Sequence, residues 1–227
     1  GHEACVGLLL DARAECSQIK YGSGGTWPLH SATENGHESC LRLLLTAGSD
    51  VNQVHPRTRS FPLLVAVQKG HVACVSALLA AGADVLQSSQ GNGESPLFLA
   101  AVQGHDATVS LLISARADVC ETNRRTGRSP LLVAANHGHT TCTKLLVDAR
   151  AEVGRADTSE AAFPLLLAAQ NGHESCVRIL LACKAEVGQS DALEGAFPLL
   201  MAAKNGHAAC TSMLLEAGAD ANQVEVN

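Results

Sequence analysis

The chain has 227 residues and a formal net charge of −6; hydrophobic residues make up 46% of it and aromatic residues only 3%. The negative charge excludes a general electrostatic attraction to nucleic acid or to an acidic membrane surface. No apolar run approaches the ~18 residues of a membrane-spanning helix, so no membrane insertion is expected. The core therefore has to be built from aliphatic side chains and cysteine.

A Gly-His pair recurs along the chain at a nearly constant spacing. It begins at residues 1, 36, 70, 104, 138, 172 and 206, so the first spacing is 35 residues and each later one is 34. A Pro-Leu pair keeps the same period and begins at residues 28, 62, 96, 130, 164 and 198. A fixed period in this range indicates one supersecondary unit stacked on copies of itself.

In chain order, the sequence begins with half a unit and continues with six full ones. Residues 1–23 hold one predicted helix, from Gly1 to Asp11, and a glycine-rich connector follows at 21–25. This connector lacks the Gly-Lys-Ser/Thr ending of a phosphate-binding loop. The full units are predicted at 24–57, 58–91, 92–125, 126–159, 160–193 and 194–227. We therefore expect a single array over residues 1–227.

Each full unit predicts two short helices. The first begins at Pro-Leu, because proline at the first helical position loses no hydrogen bond. The glycine before each histidine ends that helix in the left-handed conformation that glycine adopts easily. The histidine opens a second helix, whose paired leucines face inward. A polar connector then leads to the next proline and is expected to form an extended hairpin.

The unit pattern Ser-Pro-Leu-x-x-Ala-Ala-x-x-Gly-His-x-x-Cys-Val-x-x-Leu-Leu-x-Ala-Gly-Ala-Asp-Val resembles the ankyrin repeat over essentially the whole chain. The resemblance implies an all-α solenoid of helix-turn-helix units joined by hairpin-like loops. It also implies a protein–protein interaction scaffold without enzymatic activity. Tetratricopeptide repeats share the period of 34. They would place Trp, Tyr and Phe in both helices, whereas this chain has one Trp and one Tyr.

The cysteines follow the same period. Equivalent residues of neighbouring units lie roughly 8–10 Å apart, whereas a disulfide needs Cα atoms within about 7 Å. We therefore interpret this column as small buried hydrophobes in a reducing, cytoplasmic protein, although an extracellular location stays open. Six of the nine cysteines stand three residues after a unit histidine: Cys5, Cys40, Cys74, Cys142, Cys176 and Cys210.

The recurring His-x-x-Cys pair raises the question of metal binding or catalysis. A structural zinc site needs four ligands that converge on one point, but these pairs form two parallel columns with one histidine and one cysteine per layer. A catalytic site is a single constellation of unlike groups, and no unit departs from the repeat in that way. We predict no metal, no cofactor and no catalytic residue.

Two departures from the family pattern are informative. Aromatic residues stand before the unit proline at Trp27, Phe61, Phe163 and Phe197, where ankyrin repeats carry a capping threonine. These aromatics form either a hydrophobic staple or an exposed ledge for a partner. A cation replaces the glycine after the second helix at Arg13, Arg116, Arg150 and Lys184. If the left-handed backbone persists there, its cost is partly offset by a cation at the helix C-terminus, so we interpret these residues as tolerated structural variants rather than as a row of binding residues.

The variable positions carry the expected specificity. In ankyrin repeats the corresponding residues line a concave groove beside the loop tips. The connectors at 55–59 and 124–128 are basic, and those containing Asp157 with Glu160 and Asp191 with Glu194 are acidic. The charges form either an ordinary solvated surface or a groove polarised along its length. The candidate partner-binding residues are Trp27, Glu34, Arg57, Arg59, Phe61, Lys69, Arg124, Arg125, Arg128 and His137.

Two other functions stay open at this point. The terminal units lack the polar outer face that solenoids need for solubility. The chain is therefore expected to be a segment of a longer array, or to stack head to tail into a filament, since a heterologous contact does not close. The segment could also be the recognition module of a larger enzyme or channel.

Overall fold

The computed structural model describes residues 2–12, 14, 27–89, 93–191 and 193–223. Over these residues the chain forms thirteen helices of seven to nine residues and no strand, which confirms the all-α prediction. The predicted connector at 21–25 and Arg13 lie outside the described residues. The helices are α1 Glu3–Asp11, α2 Pro28–Glu34, α3 Glu38–Thr46, α4 Pro62–Lys69, α5 Val72–Ala80, α6 Pro96–Gln103, α7 Asp106–Ser114, α8 Pro130–Asn136, α9 Thr140–Asp148, α10 Pro164–Gln170, α11 Glu174–Ala182, α12 Pro198–Lys204 and α13 Ala208–Glu216.

The helices stack in two parallel rows. The even-numbered helices, which begin at a unit proline, form an inner row, and the odd-numbered helices form an outer row. Each inner helix packs against the following outer helix and against the next inner helix, while outer helices contact one another along their own row. One continuous core therefore runs between the rows, and the repeat boundaries proposed from the sequence stay predictions. None of the described helices is long and apolar enough to cross a membrane.

The Gly-His pair joins successive layers. Gly138 has a φ of 72°, and a Cβ built there would lie 2.6 Å from Nδ1 of His173 in the next layer. The Nε2 atom of His173 donates to the carbonyl oxygen of Asn136 at 3.0 Å. Only glycine fits here, because both the backbone conformation and the neighbouring ring exclude a side chain. The same histidine-to-carbonyl bond is made by His71, His139 and His207.

The aromatic residues before the unit prolines belong to the core. Ser95 and Ser129 cap their helices through side-chain oxygens that accept the backbone N–H groups of Phe98 and Leu132, both at 3.2 Å. The aromatic residues at this position cannot cap a helix and are buried instead; Phe61, Phe163 and Phe197 are only 1%, 1% and 4% exposed. The interpretation as an exposed ledge is wrong for these three, so Phe61 cannot contact a partner.

The cysteine column is buried, as the sequence predicts, except for Cys5, which is exposed on α1. Thr108 takes the same buried slot in α7. The Cys142 thiol lies 3.0 Å from Oδ1 of Asp106 and donates to it. Burial, with this hydrogen bond, raises the pKa of Cys142 to about 12. Such a thiol stays protonated and inert at neutral pH.

The cations that replace glycine after the outer helices keep the left-handed backbone. The φ angles of Arg116, Arg150 and Lys184 are 67°, 69° and 61°, so the left-handed backbone persists at these three positions. This conformation costs on the order of 1 kcal/mol for a residue with a Cβ. A cation beside the C-terminus of a helix offsets roughly 0.3–1 kcal/mol of that cost.

Candidate partner-binding groove

The connectors between units are closed loops that share one hydrogen bond. In each, the backbone N–H of the first residue donates to the carbonyl oxygen of the residue five positions later, at 2.8–2.9 Å. We call these loops fingers, and we call the surface between the fingers and the inner helices the groove. The closing pairs of the five fingers are His55 and Ser60, Ser89 and Glu94, Asn123 and Arg128, Asp157 and Ala162, and Asp191 and Ala196.

The first residue of each finger also holds the finger turn with its side chain. Oδ1 of Asp157 accepts the backbone N–H groups of Glu160 and Ala162, at 2.9 and 3.1 Å. Asn123 and Asp191 likewise accept the backbone N–H three residues later, and Ser89 and His55 each accept one backbone N–H of their finger. Sequence reasoning missed this role. Its signal is a polar acceptor seven residues before each unit proline from Pro62 onward.

Arg128 joins two neighbouring fingers. Its Nε atom lies 3.0 Å from Oδ2 of Asp157, whose side chain is fully buried, and its Nη2 atom lies 2.7 Å from Oε2 of Glu160. Burial alone would raise the pKa of Asp157. The bonds from Glu160 N–H, the Arg128 side chain and Ala162 N–H outweigh it, so the pKa lies below its ordinary value. Arg128 therefore holds two fingers together, and its contact with a partner stays a prediction.

We expect Asp157→Asn to lower the free energy of unfolding at neutral pH by about 1–3 kcal/mol, because the charge-assisted bond to Arg128 is lost. The asparagine oxygen keeps the backbone bonds of the turn. Since the folded state lowers the pKa of Asp157, the native chain should lose this stability as the pH falls through the folded pKa. Urea unfolding at neutral and acidic pH measures both effects. Asp191→Asn is the control, because Asp191 accepts two backbone N–H groups but pairs with no described cation; an equal loss would contradict the assignment.

Three of the predicted partner-binding residues, Trp27, Glu34 and Lys69, meet in one cavity of about 510 Å³. We call it the aromatic pocket; it is also lined by His30, His55 and Gln68. The Trp27 ring centroid lies 6.2 Å from that of His30 and 5.8 Å from that of His55. Burial lowers the pKa of His30, whose Nε2 donates to the Ser60 carbonyl at 3.2 Å. Lys69 and Glu34 form an ion pair at 3.7 Å, so the charges of this pocket balance.

The other predicted contact residues lie outside this pocket. Arg57, Arg59, Arg124 and Arg125 are exposed on the first and third fingers, and His137 is exposed at the end of α8. The finger between the basic ones follows Asp84, ends at Glu94 and contains no Lys or Arg. The charge of the groove therefore alternates along its first half instead of changing sign once.

Several variable positions of the inner helices join layers instead of facing a partner. The side-chain amides of Gln103, Asn171 and Asn205 donate to the carbonyl oxygens of Gln68, Asn136 and Gln170 in the preceding layer, at 3.2, 3.4 and 2.8 Å. These bonds explain the amides at the ends of inner helices. Because these amides are used between layers, we expect the fingers and the pockets, rather than the ends of the inner helices, to determine which partner the array binds.

A second cavity, of about 250 Å³, lies between the last two fingers and helices α10 and α12. We call it the acidic pocket. Leu193, at the tip of the last finger, borders it and is 68% exposed. Sequence reasoning missed its apolar part; the available signal was a leucine inside a polar connector. The lining residues used below are Glu160, Leu167, Asp191, Leu193, Glu194 and Met201.

Among the described residues, no group of three or more His, Cys, Asp or Glu side chains is arranged to hold a metal ion. Four unit histidines, His71, His139, His173 and His207, contact backbone carbonyls. The cysteines three positions after them are buried in the core. In these four pairs the histidine and the cysteine therefore have separate structural roles. What the groove offers chemically is charge, aromatic rings and apolar surface.

Comparisons with known proteins agree with this architecture. The family model for ankyrin repeats (3 copies) matches residues 29–123, 63–157, 115–191 and 155–225. The human ASB11 ankyrin repeat domain is similar at a TM-score of 0.75 and 29% identity, over 88% of this chain and 87% of that one. An ankyrin repeat domain from Acinetobacter baumannii AYE is similar at a TM-score of 0.79 and 28% identity, over 86% of this chain and 99% of that one. No curated protein matched. Because the matched segments together span residues 29–225, the chain belongs to the ankyrin repeat family.

Proposed function

We propose that the chain is a non-catalytic scaffold that binds a protein partner through its groove. Ankyrin repeats generally mediate protein–protein interactions. The observation that carries the proposal is the pair of open cavities, the aromatic pocket and the acidic pocket, between fingers and inner helices. Both combine apolar surface with a few charged groups, which is the composition of a recognition site.

The fingers are prepared for binding before a partner arrives. In the three fingers that the structure describes in full, at 55–60, 123–128 and 157–162, the closing backbone bond and the acceptor side chain of the first residue satisfy the turn. A loop that is already ordered loses little conformational entropy on binding, so more of the contact energy becomes affinity. The exposed arginines on the first and third fingers would then add charge complementarity.

The non-catalytic part of the proposal rests on where the reactive groups lie. The Cys142 thiol is fully buried and its pKa is about 12. Burial also raises the pKa of Cys74 and Cys210, so these thiols are poor nucleophiles. The described cysteines are all free, which suits a reducing compartment such as the cytoplasm.

A matched pair of variants tests the proposal. Arg124→Glu with Arg125→Glu reverses two exposed charges on the third finger, and Lys144→Glu with Arg178→Glu makes the same charge change on outer helices α9 and α11. For a partner captured by the intact chain, the finger variant should bind about tenfold more weakly. The outer-helix variant should bind like the native chain. A loss confined to the outer-helix variant would contradict groove binding.

End-to-end self-association is a second candidate function. It is favoured by exposed apolar side chains in both terminal layers: Leu8 and Leu9 on α1 are 70% and 59% exposed, and Leu215 on α13 is 45% exposed. Light scattering over a wide dilution range tests it. A mass that rises with concentration would support self-association, and a constant monomer mass would remove this candidate.

A further inference from the structure

We propose that the acidic pocket binds an arginine or lysine side chain from a basic segment of the protein partner. The inference rests on the proposed function, since it names the chemistry of the partner that the groove accepts. It concerns the end of the groove between the last two fingers, where acidic side chains surround apolar surface.

The apolar part of the pocket suits an aliphatic stem. Leu167 of α10 is 7% exposed, Met201 of α12 is partly buried, and Leu193 projects from the last finger. Arginine and lysine both carry methylene chains that pack on apolar surface while their charged ends stay near water. Such a side chain would cover Leu193, whose exposure at a finger tip is otherwise unexplained.

The charged part of the pocket suits a cation at the end of that stem. Glu160, Asp191 and Glu194 line it, and no Lys or Arg does. Arg128 reaches Glu160 from the preceding finger and compensates part of the negative charge. Asp191 uses Oδ1 to hold its own turn. Glu194 is exposed and makes no ion pair with a described cation, so it is the first carboxylate that we expect an incoming cation to meet.

Other occupants fit less well. An acidic side chain or a nucleic acid phosphate would be repelled by three carboxylates. A purely apolar side chain would pack on the apolar residues of the pocket, but it would remove water from the carboxylates without replacing their hydrogen bonds. A bare metal ion lacks a set of converging ligands among the described residues. A cation on an aliphatic stem can both pack its methylene groups on the apolar residues of the pocket and form hydrogen bonds with the carboxylates.

The two pockets would also give the partner a direction. In the aromatic pocket the single carboxylate, Glu34, already pairs with Lys69. Of the two pockets, only the acidic pocket at the C-terminal end of the groove therefore has carboxylate charge left to pair with a partner's cation. A partner segment should place its basic residue there and its neutral or aromatic residues toward Trp27 and His55.

A displayed library of random linear peptides, selected on the whole chain, tests the inference. Selected peptides should be enriched in arginine or lysine beside an apolar residue. Glu160→Gln with Glu194→Gln removes two of the three pocket charges and keeps the shape, and it should weaken the binding of these peptides about tenfold. The matched control is Glu152→Gln with Glu186→Gln, which neutralises two exposed carboxylates that do not line the pocket; it should leave binding unchanged.

The outcomes separate this inference from the function on which it rests. Peptides that lack cations, and that lose affinity with the Arg124 and Arg125 reversals but not with the glutamine pair, would overturn the acidic-pocket assignment and leave groove binding in place. Peptides that ignore both sets of groove variants would overturn both. Binding that weakens with the glutamine pair, falls with added salt and survives the control supports the inference.

Discussion

Gly138→Ala is expected to lower the free energy of unfolding by about 2–3 kcal/mol, since it combines two costs. A side chain at a φ of 72° strains the backbone by roughly 1–2 kcal/mol. The new Cβ would also lie 2.6 Å from the His173 ring. The ring would have to move and would give up its bond to the Asn136 carbonyl, worth about 1 kcal/mol. Urea unfolding measures the sum.

Gly82→Ala is the matched control for this prediction. Gly82 has a φ of 84°, but a Cβ built there meets nothing within 4 Å. Its substitution should therefore cost only the backbone strain, about 1–2 kcal/mol. If Gly138→Ala and Gly82→Ala lowered the free energy of unfolding equally, the packing of the His173 ring against Gly138 would not contribute to the stability of the stacked layers.

Phe163→Ala is expected to be the most destabilising single change, at about 3–5 kcal/mol, because it removes a large side chain from a packed core. Phe163 is 1% exposed and precedes α10, where a capping residue would otherwise stand. Alanine restores no cap and leaves a cavity between the finger and the helix. Denaturant unfolding with a folded-state check by circular dichroism measures the loss.

Leu193→Ala is the apolar control for Phe163→Ala. Leu193 lies in the neighbouring finger and is 68% exposed. Its truncation should change the free energy of unfolding by less than about 0.5 kcal/mol. A small effect of Phe163→Ala, close to that of Leu193→Ala, would return the residue to the exposed-ledge interpretation that its burial now rules out.

The fold could be predicted from the sequence because its determinants are periodic. Glycine before histidine and proline before leucine set the helix ends, and each has a local physical reason that does not depend on distant residues. The sequence also identified the glycine position of the unit that Arg116, Arg150 and Lys184 occupy, and the structure adds that the left-handed backbone persists there. Because each unit has the same two helices, the units can bury their apolar faces only by stacking on one another in a solenoid.

The groove was harder to predict because the sequence does not show whether a polar side chain faces solvent or a neighbouring unit. Asp157 and Arg128 look like surface charges in the sequence, yet one is buried and the other ties two fingers together. Phe61 looks like a contact residue, yet it is core. The acidic pocket arises where two fingers and two inner helices meet, through residues up to 41 positions apart, from Glu160 to Met201. Only the stacked structure brings them together.

We propose that the groove, rather than the ends or the outer row, binds the partner. Hydrogen exchange of the whole chain, alone and with a captured partner, tests it most directly. If the partner binds in the groove, new protection should appear in the fingers and in inner helices α10 and α12, with outer helices α9 and α11 unchanged. Protection confined to the terminal helices α1 and α13, or to the outer row, would contradict it.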